Sequence, residues 1–149
     1  MSKKGEKTID RQKYLLDTSA IITLSKDEPG SNIVFDILQK AKKGNVDVYV
    51  SFMSVMEACY KIHQYEDEES SHKMFNYIQH LPIKRIDVND NLILSASFIK
   101  AGYSVSMPDA WIIATAKYIG AHLVHKDPEF EQLKEVIHQI ILPYKDKLI

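Results

Sequence analysis

Short apolar runs that end on a carboxylate and pass straight into a helical pattern constrain this chain more than any other feature. Tyr14-Leu15-Leu16 closes on Asp17 and continues at once into Thr18-Ser19-Ala20-Ile21-Ile22, while Leu123-Val124 leads through His125 and Lys126 to Asp127. Alternation of strand-length and helix-length patterns marks an α/β layer architecture with a mostly parallel sheet. Strands are expected near 13–16, 46–50, 83–88, 122–125 and 138–142, with helices filling the gaps. Gly44, Gly102 and Gly120 each follow a helical pattern carrying lysines, which is helix-stop chemistry: glycine tolerates φ > 0 and lysine faces the negative end of the dipole. Glu66-Asp67-Glu68-Glu69 reads as a solvated turn between two helices.

A chain of 149 residues with 45% hydrophobic content suits one domain with a real core. The expected organisation is a polar N-terminal extension over 1–12, a folded unit over 13–142 and a tail over 143–149 that follows Pro143. A formal charge of -1 advertises no overall field for nucleic acid, although an acidic site filled with metal handles phosphates without one. The single Cys59 excludes an intrachain disulfide and fits a reducing compartment. No apolar run approaches the ~18 residues of a membrane span, and the charged start is unlike a signal peptide, so the expectation is a cytoplasmic protein with no membrane partner.

In an open parallel sheet the ligand crevice lies outside the carboxyl ends of the strands, which makes Asp17 and Asp127 candidate neighbours. Asp109 starts the helix that runs through Trp111, Ala114 and Tyr118 and delivers the chain past Gly120 to the strand at Leu123. A helix leading into a parallel strand runs antiparallel to it, so Asp109 belongs at the same rim. Glu57 falls early in the helix after the 46–50 strand and belongs there too. Each acid also has a plainer role. Asp17 and Asp127 suit helix N-caps, Asp109 with Ser106 suits a capping box, and Glu57 can pair with Lys61. Joint placement on one edge tips the balance toward a shared site.

Carboxylates alone are hard ligands, suited to Mg²⁺ or Mn²⁺ rather than zinc. The matching chemistry is phosphodiester hydrolysis, in which a divalent ion acidifies water and stabilises the leaving oxygen. No GxxxxGK loop or GxGxxG fingerprint points to nucleotide binding. His122 and His125 fall on opposite faces of one strand and share no zinc ion. Trp111 with Ile112 and Tyr118 reads as a core stripe, and Lys26, Lys84, Arg85 and Lys126 are too scattered to define a groove.

Four segments in order, Leu15-Leu16-Asp17-Thr18-Ser19-Ala20, Ser54-Val55-Met56-Glu57-Ala58, Pro108-Asp109-Ala110-Trp111-Ile112-Ile113-Ala114-Thr115-Ala116 and Leu123-Val124-His125-Lys126-Asp127-Pro128-Glu129-Phe130, resemble the motifs of the PIN domain, most closely the VapC-type toxin ribonucleases of toxin-antitoxin pairs. The resemblance covers roughly 13–142. It implies a PIN-like three-layer fold, a central five-stranded parallel sheet flanked by helices, with Asp17, Glu57, Asp109 and Asp127 as the catalytic acids that bind Mg²⁺ or Mn²⁺. Thr18 or Ser19 would support Asp17 or the substrate phosphate. It further implies endoribonuclease action on structured RNA such as tRNA or rRNA, a homodimer and a cognate antitoxin. His125 departs from the family pattern, which carries Thr or Ser there. Either the supporting hydrogen bond to the last acid is missing, or His125 replaces it by donating from a ring nitrogen.

Two other readings stand beside the nuclease. One is a PIN-like module without turnover that binds RNA or serves assembly, favoured by His125. The other is a receiver-type phosphoacceptor domain, for which Asp87 would be the acceptor, although Asp17 lacks the acidic neighbour that such a domain carries.

Overall fold

The computed structural model describes residues 10–145; the expectations for 1–9 and for 146–149 fall outside the described residues. In chain order the elements are β1 (Gln12–Leu16), α1 (Thr18–Ser25), α2 (Ser31–Lys42), β2 (Val46–Ser51), α3 (Phe52–Tyr65), α4 (Glu68–His80), β3 (Lys84–Ile86), α5 (Asp90–Gly102), α6 (Met107–Ile119), β4 (His122–His125), a short 3₁₀ helix (Pro128–Leu133) and β5 (Gln139–Ile141). The five strands form one sheet in the order β3-β2-β1-β4-β5, and every neighbouring pair is parallel. The α/β fold with a five-stranded parallel sheet flanked by helices is therefore as the sequence implies.

Successive side chains on a strand point to opposite faces, and the central strands use this to serve two cores. Leu16 and Val124 enter one cluster with Ile21, Val34, Val55 and Ile78 from α1 to α4. Leu15 and Leu123 enter the other with Ile99, Ile112 and Ile113 from α5 and α6, and with Phe130 from the 3₁₀ helix. Strands buried on both faces need near-continuous apolar runs, which is what β1 and β4 carry at their inner ends. Among the described residues no helix is long and apolar enough to cross a membrane.

Two strands are shorter than expected. β3 stops at Ile86 because it is an edge strand whose single neighbour, β2, ends at Ser51, the partner of Ile86. Asp87 and Val88 then have no ladder to join. β5 spans Gln139–Ile141, yet the amide of Leu123 bonds to the His138 carbonyl and that of Leu142 to the His125 carbonyl, so pairing reaches one residue beyond each end.

Helix ends follow the expected chemistry except at one glycine. Gly44 and Gly120 have φ of +79° and +67°, and the Gly120 amide bonds back to α6. Gly102 is instead the last residue of α5, whose cap is the extended Tyr103, and Lys100 Nζ donates to the Val105 carbonyl at 2.7 Å. The acidic stretch at 66–69 does turn the chain, and Asp67 also caps α4 by accepting from the Ser70 amide.

Register places the site. Leu16 lies between Val50 of β2 and Val124 of β4, so the chain leaves all three strands at one level. From that rim β1 enters α1 on one face, whereas β4 enters the 3₁₀ helix on the other. Strands whose connections diverge in this way leave a crevice between them.

Candidate metal centre

Asp17 is the N-cap of α1, and its position follows from the sheet: its amide donates to the Val124 carbonyl at 3.0 Å. Its Oδ2 accepts from both the amide and the hydroxyl of Ser19. Its Oδ1 is buried and, among the described residues, meets no donor. Burial pushes the Asp17 pKa up to about 6; the Ser19 bonds pull it down, and the Glu57 and Asp127 carboxylates push it up.

Glu57 sits on α3 with 7% exposure. Its Oε1 accepts from Thr18 Oγ1 at 2.7 Å, and its Oε2 lies 4.0 Å from Lys61 Nζ. The expected helix-surface pair with Lys61 is thus present only at the limit of pairing distance, while the carboxylate itself is buried.

Asp109 stands in the first turn of α6. Ser106 caps that helix by accepting from the Asp109 amide at 3.2 Å. The return half of a capping box would use the Asp109 carboxylate on the Ser106 amide. Glu129 takes that amide instead, at 2.9 Å, which leaves the Asp109 carboxylate free to face the other acids. Burial is the largest cause pushing the Asp109 pKa up to about 9, followed by the Glu129 carboxyl beside it and the charges of Asp17 and Asp127.

Asp127 caps the 3₁₀ helix, its Oδ1 accepting from the Glu129 amide at 3.0 Å. His125 is wholly buried against Phe130 and does not touch the Asp127 carboxylate. Its Nδ1 accepts from the Asp127 amide at 3.0 Å, and its Nε2 meets Gln139 Oε1 at 2.8 Å. The Gln139 amide nitrogen donates to the Phe130 carbonyl, which aims its oxygen at the ring and makes Nε2 the protonated nitrogen. Of the two expectations for His125, the missing bond to the Asp127 carboxylate is the one seen, and the contact present instead runs from the Asp127 backbone amide into the ring.

Carboxylate oxygens from Asp17, Glu57 and Asp109 all lie within 4.8 Å of one another, and so do oxygens from Asp109, Asp127 and Glu129. The four acids singled out in the sequence therefore meet, in two triads that share Asp109. Glu129 is the member that sequence reasoning passed over as an ordinary helix-start residue. Its signal was its place two residues after Asp127, on the side of the turn that faces α6.

Of the two supporting candidates, Ser19 holds Asp17 and Thr18 holds Glu57. Ser19 Oγ also accepts from the Lys126 amide at 2.9 Å, joining the first motif to the last.

The donor set fits a divalent cation. All the ligands are hard oxygens, the acids repel one another, and Asp17 Oδ1 is a desolvated acceptor facing no donor. A cation satisfies each of these at once.

The PIN domain family model matches residues 14–136. No curated protein matches the chain by sequence. Among solved structures, the chain is similar to VapBC2 from Rickettsia felis bound to a DNA fragment from its promoter, with a TM-score of 0.72 and 16% identity over 89% of this chain and 100% of that one. It is similar to VapBC-1 from nontypeable Haemophilus influenzae, with a TM-score of 0.64 and 20% identity over 87% and 98% of the two chains. It is also similar to VapC20 from Mycobacterium tuberculosis, a toxin that cleaves the sarcin-ricin loop, with a TM-score of 0.64 and 15% identity over 80% and 93%.

Proposed function

Because the chain belongs to the PIN domain family, whose members are generally metal-dependent nucleases, we propose that it is a Mg²⁺- or Mn²⁺-dependent endoribonuclease, the toxin of a toxin-antitoxin pair. The observation that carries the reading is the buried meeting of Asp17, Glu57 and Asp109 within 4.8 Å. Residues 13–142 form the catalytic unit. Asp17, Glu57 and Asp109 hold the main ion, and Asp127, with Glu129 beside it, supports a second or orients the attacking water. A divalent ion held there supplies Lewis acidity, making water a better nucleophile and offsetting charge on the phosphate. The chain supplies the geometry. Ser19 and Thr18 fix the two deepest carboxylates, and His125 fixes the backbone of Asp127.

The proposed substrate is structured RNA, tRNA or rRNA, as the sarcin-ricin activity of VapC20 suggests. The VapBC structures suggest a cognate antitoxin. Leu94 and Phe98 on α5 and Met107 at the start of α6 are exposed, which favours a covered surface there and hence a homodimer.

The test is cleavage of a purified tRNA and rRNA pool with Mg²⁺ or Mn²⁺. Wild type should cut, chelation should stop it, and Asp17→Asn should abolish cleavage with its circular dichroism unchanged. An unaltered rate in that variant would sink the mechanism. The module without turnover rests on His125 alone, and His125 still holds the Asp127 backbone through its amide. The phosphoacceptor reading loses Asp87, which is exposed and paired with Arg85 at 2.7 Å.

A further inference from the structure

Beside the carboxylates, on the side of Ser19 and Lys126, opens a cleft of about 440 Å³. Its charged lining is three lysines, Lys61, Lys126 and Lys145, against one acid, Glu28, in a chain whose formal net charge is -1. Ile22, Pro128 and Tyr144 supply the apolar part of the wall.

The lysines are not equivalent. Lys126 is a structural cation: its side chain is 6% exposed, its Nζ donates to the Pro29 carbonyl at 2.8 Å, and Glu28 lies 3.7 Å away. Glu28 is shared by Lys126 and by Lys145, its nearer partner, so one acid faces three lysines and the lining keeps a positive surplus. Lys145 is 69% exposed and reaches Glu28 at 3.1 Å; Lys61 is 45% exposed and reaches Glu57 only at 4.0 Å. Tyr144 presents a half-exposed ring beside them.

A volume of this size falls within the ~300–1,000 Å³ of small-ligand pockets, enough for one nucleotide and too little for a duplex. Cations paired with an aromatic wall are the parts that single-stranded nucleic acid uses, the cations for phosphate and the ring for a base.

We propose that this cleft is a nucleotide subsite, in which Lys61 and Lys145 take the phosphate next to the scissile one and Tyr144 takes the base. It rests on the nuclease reading for its position beside the cut, and it assigns binding residues that lie outside the four motifs.

The test measures binding separately from cleavage. A fluorescein-labelled ten-nucleotide RNA of mixed sequence is titrated, by anisotropy over a range of salt, into full-length Asp17→Asn protein with Mg²⁺ present. On that background Lys61→Ala with Lys145→Ala should flatten the log-log salt dependence by about 0.7, the contribution of the one phosphate the two lysines share. Tyr144→Leu should weaken binding at least ~5-fold with the slope unchanged. Lys117→Ala, on the exposed side of α6, should change neither. If the Lys61, Lys145 and Tyr144 variants bind with the affinity and slope of the parent while wild type cuts RNA, the subsite is wrong and the nuclease reading survives. If binding depends on these residues while wild type cuts nothing, the cleft binds a nucleotide, and the nuclease reading falls together with the cleft's place beside a cut. No binding by the parent overturns the subsite, and cleavage of the tRNA and rRNA pool by wild type then decides the nuclease reading by itself.

Discussion

Thr18 Oγ1 donates to Glu57 Oε1 at 2.7 Å, a buried bond between residues 39 apart in the chain. It ties the first turn of α1 to the inner face of α3, two helices that leave neighbouring strands at the same rim. A carboxylate with 7% exposure needs such a donor, because burying it without one strands a charge. The bond also holds the Glu57 side chain in the place where it meets Asp17 and Asp109.

Thr18→Val keeps the shape of the side chain and removes the donor. Stability should fall by about 1–3 kcal/mol, since Glu57 stays buried without its partner. Affinity for Mn²⁺ should fall as well, because Glu57 loses its orientation. Thr18→Ser should restore both. Chemical denaturation and metal titration by calorimetry would read the two effects, and a Val variant matching wild type in both would remove Thr18 from the site.

The metal-free protein should lose stability as pH rises. Asp17 and Asp109 have pKa values pushed up to about 6 and about 9 from an ordinary 3.8, so between those limits the folded state binds more protons than the unfolded chain. Stability then declines from about pH 4 through pH 9, first through Asp17 and then through Asp109. Divalent ions replace the protons. Addition of Mn²⁺ should therefore raise Tm more at pH 8 than at pH 5, with proton release detectable in buffers of different ionisation enthalpy. For the same reason Asp17→Asn should raise the Tm of the metal-free protein at pH 8. A Tm of the metal-free protein that climbs between pH 5 and 8 would contradict this account.

His125→Ala should cost about 1–3 kcal/mol for each polar group it strands, the Asp127 amide and the Gln139 oxygen, besides the cavity beside Phe130. Burial also lowers the His125 pKa, so the folded state keeps the ring neutral. Its contribution is present above the unfolded value of 6.5 and is lost as pH falls below it. A ¹⁵N spectrum of the imidazole should report a neutral ring protonated on Nε2 at pH 7. An imidazolium there would reverse the assignment.

Gly30 has φ +99°, and a Cβ added to it would come within 2.9 Å of Pro143 Cδ and 3.2 Å of Leu142 Cβ. Gly30→Ala is thus strained twice, by its backbone and by the segment it packs against. It should destabilise by roughly 1–3 kcal/mol and loosen residues 142–145, which hydrogen exchange at the Leu142 amide would detect. Protection equal to wild type would mean that the segment is held elsewhere.

Local pattern alone determined the strands, the helices and the rim on which Asp17, Glu57, Asp109 and Asp127 lie, because apolar period and helix-start chemistry are properties of neighbouring residues. It also carried the family motifs. Sheet order was not legible in that way, and much of the site's detail depends on sheet order. Lys126 reaches Ser19 because β4 lies against β1, Glu129 turns from a helix-start residue into a partner of Ser106 because the 3₁₀ helix faces α6, and β3 is cut short by the end of β2. His125 shows the limit most plainly: its type suggested a missing or donated bond to the last acid. Only the neighbouring strand, through Gln139, decided which nitrogen carries the proton and so made the ring an acceptor for the Asp127 backbone. A tautomer is set by the partners that tertiary structure brings, and those partners lie too far along the chain for spacing to reveal.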